Sequence, residues 1–579
     1  MGRLRGYLWR YRRRYLAGGA CLLVTASLAM SVPYLLKQAI DAVEQGQPYR
    51  NVLVFAAAII AIALVQGLVR TCSRVLIFNA GRDVEYDLRN DLFAHLQRLP
   101  QSYYHAQQTG DLMSRLVNDV TAVRLLLGPA ILNLVNTPIY YVYAVSIMLS
   151  LDATLTLMAL LPYPLLLWLV KYYSRQLMEG TLHVQERLAE VSSAVQENLS
   201  GIHVVQSYVA EAAETAKFEQ INRRFLADSI ELAKVRGRMF PAMKVASSLG
   251  TLVVLWYGGA HVISGRLSLG DLVAFIGYLA LLAWPTMALG WMLSVLQRGR
   301  AALQRLEHIF AAVPEIRDAP DAAPLPLVRG RIEFRNVDFA YHTPHNGHQV
   351  LDNISFTVEP GQQLALVGRT GSGKSTIARL LPRLADVSAG AILLDGRDIR
   401  TLPLQQLRRS IAFVPQDPFL FSDTIADNVG FVLDPVDQAA VERAAQAAGI
   451  ADEIAAFRYG YDTIIGERGI TLSGGQRQRL TLARAIAAAP QVLVLDDALA
   501  SVDTRTERRI LRALREILHG RTSIVIAHRI STIQDADMIA VVDDGRIVEV
   551  GDHNALLARA GFYADLYRQQ SLEEELAEL

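Results

Sequence analysis

The sequence predicts a multi-domain membrane protein in which an all-α part with six membrane-spanning helices precedes an α/β part. Three observations predict this fold class. The 579 residues are 52% hydrophobic and have a mean hydropathy of +0.23, although 20% of them are charged. Six apolar stretches lie in the first half of the chain, and short strand-like and helix-like segments alternate in the second half. Together they indicate a membrane half followed by a soluble half.

Composition also limits the partners. The formal net charge is +1, so the chain carries no strongly basic or acidic balance and shows no pattern of a nucleic-acid-binding face. The two cysteines, Cys21 and Cys72, lie in or beside apolar segments and match no metal or redox spacing. We therefore expect two buried thiols.

A group of arginines precedes the first apolar stretch. A cleaved signal peptide would have a shorter apolar core and a small-residue cleavage site, so this stretch is interpreted as a retained first span with its basic flank in the cytoplasm. Six spans then place both chain ends in the cytoplasm. The basic residues are Arg3, Arg5, Arg10, Arg12, Arg13 and Arg14, and the spans are Leu16–Leu36, Val52–Val69, Leu125–Leu149, Ala153–Val170, Pro241–Ile263 and Leu272–Val295.

The links between the spans differ in length. Those after spans one, three and five are short, at Lys37–Asn51, Ser150–Asp152 and Ser264–Asp271. Those after spans two and four, Arg70–Arg124 and Lys171–Met239, are long, charged and helical in pattern. We expect these two to project into the cytoplasm as helical extensions, which either carry contact from the soluble part to the membrane part or only lengthen the helices.

Four prolines interrupt the chain after the sixth span, between residues 311 and 330. This stretch is predicted to be a linker, which gives a transmembrane domain at 1–310 and a soluble domain at 331–579. Beyond the linker, strand-like runs alternate with helix-like segments, which predicts an α/β domain around a largely parallel sheet. The runs are Arg331–Phe339, Gln363–Val367, Ile411–Val414, Val492–Leu495, Thr522–Ile526 and Met538–Val542.

The segment Gly368–Thr376 reads G-x-x-x-x-G-K-S-T between a predicted strand and a predicted helix. In that context glycines let backbone N–H groups converge on phosphate oxygens, and the start of the helix adds partial positive charge. Lys374 would reach the β- and γ-phosphates of a nucleotide and Ser375 would bind Mg²⁺. The alternative is an ordinary glycine-rich turn. The candidate phosphate-binding residues are Gly368, Thr370, Gly371, Ser372, Gly373, Lys374, Ser375 and Thr376.

Two further segments are typical of a nucleotide-hydrolysing domain. The run Val492–Leu495 ends in Asp496, where a Mg²⁺-directing carboxylate would face the phosphate loop. A strand that ends in Asp is common, so this signal is weak alone. The segment Leu472-Ser473-Gly474-Gly475-Gln476 is far more specific.

That segment resembles the signature sequence of ATP-binding cassette (ABC) proteins. Six spans with long cytoplasmic extensions, followed by one cassette, resemble an ABC exporter half-transporter over nearly the whole chain. The resemblance implies that ATP and Mg²⁺ bind and that two cassettes close head to tail. Each ATP would lie between one chain's phosphate loop and the signature residues Ser473, Gly474, Gly475 and Gln476 of the other.

The resemblance also implies roles for residues outside these motifs. Tyr341 would stack on adenine, with a surface strand tyrosine as the alternative. Gln416 would contact Mg²⁺ and the attacking water, and His528 would hold the γ-phosphate. Ser501–Asp503 would link the two sites, and Gly466–Gly469 would touch the cytoplasmic extensions.

The chain departs from the family pattern at Asp497. The family places Glu after the Mg²⁺-directing Asp as general base, and a base must come within about 2.6–3.2 Å of its proton, directly or through water. Asp is one methylene shorter, so this chain resembles the multidrug-type heterodimeric halves whose own site turns over slowly. A second chain carrying the Glu is the expected partner. The alternatives are that Asp serves adequately in a homodimeric exporter of lipid or peptide, or that the scaffold is an ATP-gated regulatory or channel protein.

The substrate is less constrained. Asn133, Asn136, Tyr140 and Tyr143 recur at helical spacing on the third span, and Trp284, Met287 and Trp291 recur on the sixth. These faces could line a cavity for amphipathic molecules or could pack against other helices. No Asp or Glu lies centrally in a span.

Overall fold

A computed structural model describes residues 2–341, 348–466, 469, 472–498, 510, 520–527 and 529–578. The chain divides into two compact units, one of Met1–Gln97 and Thr109–Ala312, the other of Arg98–Gln108 and Val313–Leu579. The first unit is all helical, and the second combines helices with two sheets. The predicted fold class is therefore confirmed.

Six helices of the first unit are long and apolar enough to cross a membrane, as predicted. Short breaks separate them. In chain order the helices up to residue 312 are α1 (Gly2–Arg10), α2 (Arg12–Glu44), α3 (Tyr49–Leu96), α4 (Gln101–Ala106, in the second unit), α5 (Thr109–Leu151), α6 (Ala153–Ser200), α7 (Ile202–Ser207), α8 (Glu211–Ile263) and α9 (Leu269–Ala311). The two long links are helical, as expected, since α3, α5, α6 and α8 continue well beyond their apolar parts.

The short connection before α9 shows how local chemistry sets a helix start. Ser268 Oγ accepts a hydrogen bond from the Asp271 backbone N–H at 3.0 Å, and Asp271 Oδ2 accepts one from the Ser268 N–H at 3.1 Å. This capping box satisfies two N–H groups that a helix leaves unpaired. Lys37 Nζ lies 2.6 Å from Asp271 Oδ1, so the same carboxylate joins α2 to α9.

Helix α5 departs from α-helical geometry at Arg115–Asp119 and Leu126–Ala130, where it forms π-turns. Asp119 lies at the end of the first one and is only 7% exposed. Its carboxylate accepts two hydrogen bonds from Arg305 of α9, at 2.9 Å from Nε and 2.6 Å from Nη2. Such a bidentate pair fixes both distance and orientation, so it ties α5 to α9.

One expectation is wrong: Cys72 is exposed, and Cys21 is only partly buried. The reason lies in α3, whose most apolar 18-residue window has none of its residues buried inside the chain. An apolar helix that crosses a membrane can turn its side chains outward, so hydrophobicity there does not indicate burial.

The second unit contains two sheets. The helices that follow the first unit are α10 (Lys374–Leu380), α11 (Leu404–Ser410), α12 (Ile425–Val429), α13 (Gln438–Ala447), α14 (Ala451–Ala456), α15 (Gly474–Ala487), α16 (His553–Ala558) and α17 (Phe562–Glu578). The strands are β1 (Ile332–Tyr341), β2 (His348–Val358), β3 (Gln363–Val367), β4 (Ala389–Leu394), β5 (Arg397–Asp398), β6 (Ile411–Val414), β7 (Val492–Asp496), β8 (Thr522–Ile526), β9 (Met538–Asp543) and β10 (Arg546–Gly551).

The larger sheet has the order β10-β9-β3-β8-β7-β6 and is parallel except at β10. This confirms the predicted parallel sheet, but the run Arg331–Phe339 was wrongly grouped with it. That run forms β1 of a separate antiparallel sheet with the order β2-β1-β4-β5. An alternation of strands with helices does not reveal a second sheet whose strands pair as hairpins.

Strand β3 shows why the sheet is buried on both faces. Leu364 and Leu366 pack in the cluster that contains β1, whereas Ala365 and Val367 pack in the cluster that contains α15. A strand between two cores is apolar on both faces, as in Gln363–Val367. Because β3, β8 and β7 are parallel neighbours, their carboxyl ends meet at one edge of the sheet.

Candidate functional site

The glycine-rich loop begins where β3 ends and leads into α10. Gly368 has φ +148°, and a Cβ there would overlap the carbonyl oxygen of Val542. Gly373 has φ +103°, and a Cβ there would come within 2.7 Å of a Leu351 methyl group. Both positions therefore require glycine, and the loop between them includes exposed Thr370 and Gly371. The backbone of this loop is therefore tightly folded at both ends, with no room for a side chain at either glycine.

Lys374 is the first residue of α10 and is 5% exposed. Its Nζ donates to the backbone carbonyl oxygens of Gly368 and Arg369 at 2.9 and 2.7 Å. Burial lowers the pKa of Lys374, while the nearby carboxylates of Asp496 and Asp497 raise it. The ammonium group therefore lies inside the loop, within the field of both acids.

Asp496 is the last residue of β7 and is 1% exposed. Its Oδ1 accepts a hydrogen bond of 2.8 Å from the Ser375 hydroxyl, and burial raises the pKa of its carboxyl group. Its Oδ2 is buried and has no hydrogen-bond partner among the described residues. A buried carboxylate oxygen without a partner is costly unless a ligand satisfies it. A carboxylate and a hydroxyl are ligands that suit Mg²⁺.

Asp497 follows directly and adopts a left-handed backbone conformation, with φ +50°. Its N–H donates to the Ile526 carbonyl oxygen of β8 at 2.9 Å, which fixes this conformation. Asp and Asn tolerate the left-handed region better than longer side chains do, because their short polar side chains can bond locally. The backbone of Asp497 is thus held in place beside Asp496, and its half-buried side chain extends from that position.

Tyr341 ends β1 and is 41% exposed. Its hydroxyl lies 3.4 Å from Thr376 Oγ1 of α10, and its ring packs edge-to-face on Phe339 with centroids 4.8 Å apart. The structure thus brings this predicted aromatic beside the phosphate loop, with much of its surface free to contact a ligand.

The segment Ser473–Gln476 begins helix α15. Ser473 Oγ accepts from the Gln476 N–H at 3.2 Å, and Gln476 Oε1 accepts from the Ser473 N–H at 2.8 Å. Gln476 Nε2 also donates to Glu453 Oε2 at 2.9 Å. Gly474 and Gly475 are thus the first two residues of a capped helix. Because neither has a Cβ atom, an anion can come close to their backbone N–H groups.

The remaining predicted residues are less defined. Gln416 follows β6, is exposed and forms no hydrogen bond with another described residue. His528, Ser501–Asp503 and two residues of the segment Gly466–Gly469 lie outside the described residues. Their roles stay predictions.

Comparisons with known proteins identify the family of the chain. Residues 15–286 match the ABC transporter transmembrane region, and residues 351–500 match the ABC transporter family. The chain is 36% identical over 573 residues to the multidrug resistance-like ATP-binding protein MdlA of Escherichia coli, which covers 98% of this chain and 96% of that protein. It is 34% identical over 566 residues to the ATP-dependent lipid A-core flippase of Syntrophus aciditrophicus, with 98% and 93% covered.

The chain belongs to the ABC transporter family. A solved structure of a bacterial Atm1-family ABC exporter with ATP bound superposes with a TM-score of 0.80 at 30% identity, covering 96% of this chain and 98% of that one. The transporter is therefore an ATP-driven exporter, and its cassette hydrolyses ATP in a reaction coupled to transport. Its six apolar helices make it a membrane transporter.

A cavity of about 590 Å³ lies among α5, α6, α8 and α9 of the transporter. Asn133, Trp284, Met287 and Trp291 line it, as the helical spacing suggested. Asn136, Tyr140 and Tyr143 are not among its lining residues. The contribution of α6 and α8 was missed, because most of their lining residues lie in or beside the link Lys171–Met239, which was predicted to project into the cytoplasm.

Proposed function

We propose that this transporter exports an amphipathic or hydrophobic substrate by alternating access, as one half of a heterodimer whose own ATP site turns over slowly. The single observation that carries the asymmetry is Asp497. It places a shortened carboxylate, fixed by its backbone, beside a complete phosphate loop and a buried Asp496. Such a site can bind ATP without hydrolysing it quickly.

The nucleotide site is assigned as follows. The loop Gly368–Thr376 wraps the phosphates, Lys374 exchanges its two loop carbonyls for β- and γ-phosphate oxygens, and Tyr341 stacks on adenine. In both carbonyl contacts only the ammonium donor is charged, whereas in a contact with a phosphate oxygen the donor and the acceptor carry opposite charges, which strengthens the interaction. His528 contacts the γ-phosphate in this proposal.

The donor set fits Mg²⁺. The Ser375 hydroxyl donates a hydrogen bond of 2.8 Å to Asp496 Oδ1, and Asp496 Oδ2 has no hydrogen-bond partner among the described residues. Gln416 is exposed and forms no hydrogen bond with another described residue. These residues together with phosphate oxygens would hold the ion, which would neutralise charge on the β- and γ-phosphates. Among the described residues no group of three His, Cys, Asp or Glu side chains could hold a metal.

Because each ATP site would be shared between two chains, slow turnover at this chain's own site is compatible with export. The residues Ser473–Gln476 of this chain would complete the partner's site, where the partner's Glu acts as base. General-base catalysis contributes roughly 10²–10⁴-fold, so its displacement slows one site without weakening nucleotide binding. Purification of the chain alone and with its candidate partner, followed by assembly and ATPase measurements, tests this. Full activity of the chain alone would favour a homodimeric exporter.

Transport itself distinguishes an exporter from an ATP-gated regulatory or channel protein on this scaffold. In sealed inside-out vesicles, ATP should drive uptake of a substrate against its gradient. Movement only down the gradient, with ATP present, would overturn active export. This assay does not depend on which chain carries the faster site.

The orientation gives a further prediction. Residues 3–14 and the segment after Gly330 should be cytoplasmic, whereas the turn between α2 and α3 should face outward, because the basic N-terminal flank stays inside. After Cys21 and exposed Cys72 are replaced by Ser, a cysteine at Gln47 should react with a membrane-impermeant maleimide in intact cells. A cysteine at exposed Gln108 is the matched control and should react only after lysis. The reverse pattern would overturn the topology.

A further inference from the structure

We propose that the cavity among α5, α6, α8 and α9 selects amphipathic anions, with the anionic group held between Arg236 and Arg298 and the apolar chain lying along Met243, Met287 and Trp284. This inference rests on the proposed export function, because it assigns the substrate class of that transporter. It concerns binding, so it can be tested without ATP.

The cavity is apolar along most of its length. Four residues of helix α8 line the cavity: Arg236, Met239, Phe240 and Met243. They follow the i, i+3, i+4, i+7 pattern that places residues on one face of a helix. Unbranched, polarisable Met side chains adapt to irregular apolar ligands, and aromatic rings add large apolar contact area. These properties suit a flexible hydrocarbon body.

From the alignment of α8 and α9 we infer that the two arginines lie at the same end of the cavity. Gly250 of α8 lies against Leu279 of α9, and Gly258 lies against Leu272, so these helices run antiparallel. Continuing that register places Arg236 level with Ser294, one turn from Arg298, and places Met243 level with Met287. The opposite end, at Trp284, is ten residues along α9 from Ser294, or roughly 15 Å.

The charge at that end is uncompensated. None of the cavity's lining side chains is acidic, and neither Arg236 nor Arg298 forms an ion pair or hydrogen bond with any described residue. Two other arginines of these helices are paired, Arg187 of α6 with Asp228 and Arg305 of α9 with Asp119. Unpaired guanidinium groups beside an apolar cavity repel cations and offer planar donor forks to a phosphate, sulfonate or carboxylate. The site therefore matches an amphipathic anion in both charge and length.

The test uses the full-length chain in its membrane assembly, in nucleotide-free phosphatidylcholine nanodiscs. The probe is dodecyl phosphate with a dansyl group at its chain end, and its binding is read as energy transfer from tryptophan. The matched probe carries trimethylammonium in place of phosphate. Only the phosphate probe should show saturable binding, and Arg236→Gln/Arg298→Gln should weaken that binding about tenfold or more.

The control variant is Arg238→Gln/Arg300→Gln. Both residues are exposed, lie two positions from the cavity arginines and do not line the cavity, so the same charge is removed at the same depth. It should bind the phosphate probe as the wild type does. Arg236→Lys/Arg298→Lys should retain much of the affinity, which separates charge from loss of folding.

Equal binding of the two probes, or equal losses in the cavity and control variants, would overturn the inference. Competition identifies the source of the anion. Displacement by phosphatidylglycerol in the nanodisc indicates a lipid headgroup, and displacement only by free hexyl phosphate indicates a soluble amphiphile. If neither competitor displaces the probe, the anion site is refuted. Anion binding with normal selectivity but no ATP-driven transport would instead refute the proposed function.

Discussion

In the heterodimer that we propose, Gly475→Asp is expected to abolish most ATP turnover, whereas Asp497→Asn leaves most of it intact. Asp at position 475 places a side chain and a negative charge against the partner's γ-phosphate, at the site that carries the Glu. Asp497 takes no part in that site. The measurement is steady-state ATPase activity of both variants after assembly with the partner.

The structure makes this comparison informative about chemistry and not about folding. Gly475 is the second residue of α15, where a negative charge interacts favourably with the helix N-terminus. The variant should therefore assemble and unfold as the wild type does. Equal, near-complete loss from Gly475→Asp and Asp497→Asn would show that Asp497 is a working base and would favour the homodimeric exporter.

A further control is Asp497→Glu. It restores the missing methylene, so turnover at this chain's own site should rise if reach alone limits it. The left-handed backbone at φ +50° opposes this change, because longer side chains tolerate that region less well. Unchanged turnover together with a lower unfolding temperature would mean that the backbone, and not the carboxylate's length, limits the site.

Substituting Lys374 by Ala is expected to weaken ATP binding at this chain's own site about tenfold or more, because the phosphates lose a buried positive charge. Photolabelling with 8-azido-ATP, read separately for each chain of the heterodimer, measures this. Lys374→Met is the matched control: it keeps most of the apolar stem and removes the charge, so it should lose as much affinity as the alanine variant. Normal labelling of this chain in both variants would contradict the assigned phosphate site.

Much of the fold is predictable because the decisive patterns are local. The strand Gln363–Val367 is apolar at every position but its first, and its bounds agree with the structure. The six membrane-spanning helices have 33 to 53 residues and exceed the length of about 20 residues that a bilayer requires, which makes their number clear. By contrast, β2 and β4 pair antiparallel with β1, and β10 pairs antiparallel with β9. Strands β2 and β10 carry polar residues among apolar ones, and β4 begins with Ala-Gly-Ala, so the apolar runs did not mark them.

The candidate site was predictable from sequence where backbone geometry dictates residue type. Gly368 and Gly373 occupy positions with positive φ and no room for a Cβ, and Lys374 follows at a fixed offset. The left-handed conformation of Asp497 depends on its bond to Ile526, which lies in another strand. Likewise, the placement of both cavity arginines at one end depends on how α8 and α9 are aligned. Contacts between distant segments of this kind leave no periodic trace in the sequence.

The π-turn at Arg115–Asp119 has a consequence for insertions and deletions in this helix. A π-turn holds about one residue more than an α-helical turn, so it can absorb a single inserted residue while the helix on both sides keeps its axis and packing. Removing one residue here should restore a regular α-helix and rotate Asp119 by roughly 100° away from Arg305. The number of residues at this point therefore sets the rotation of one half of the helix relative to the other. The contact between Asp119 and Arg305 forms only at the correct rotation.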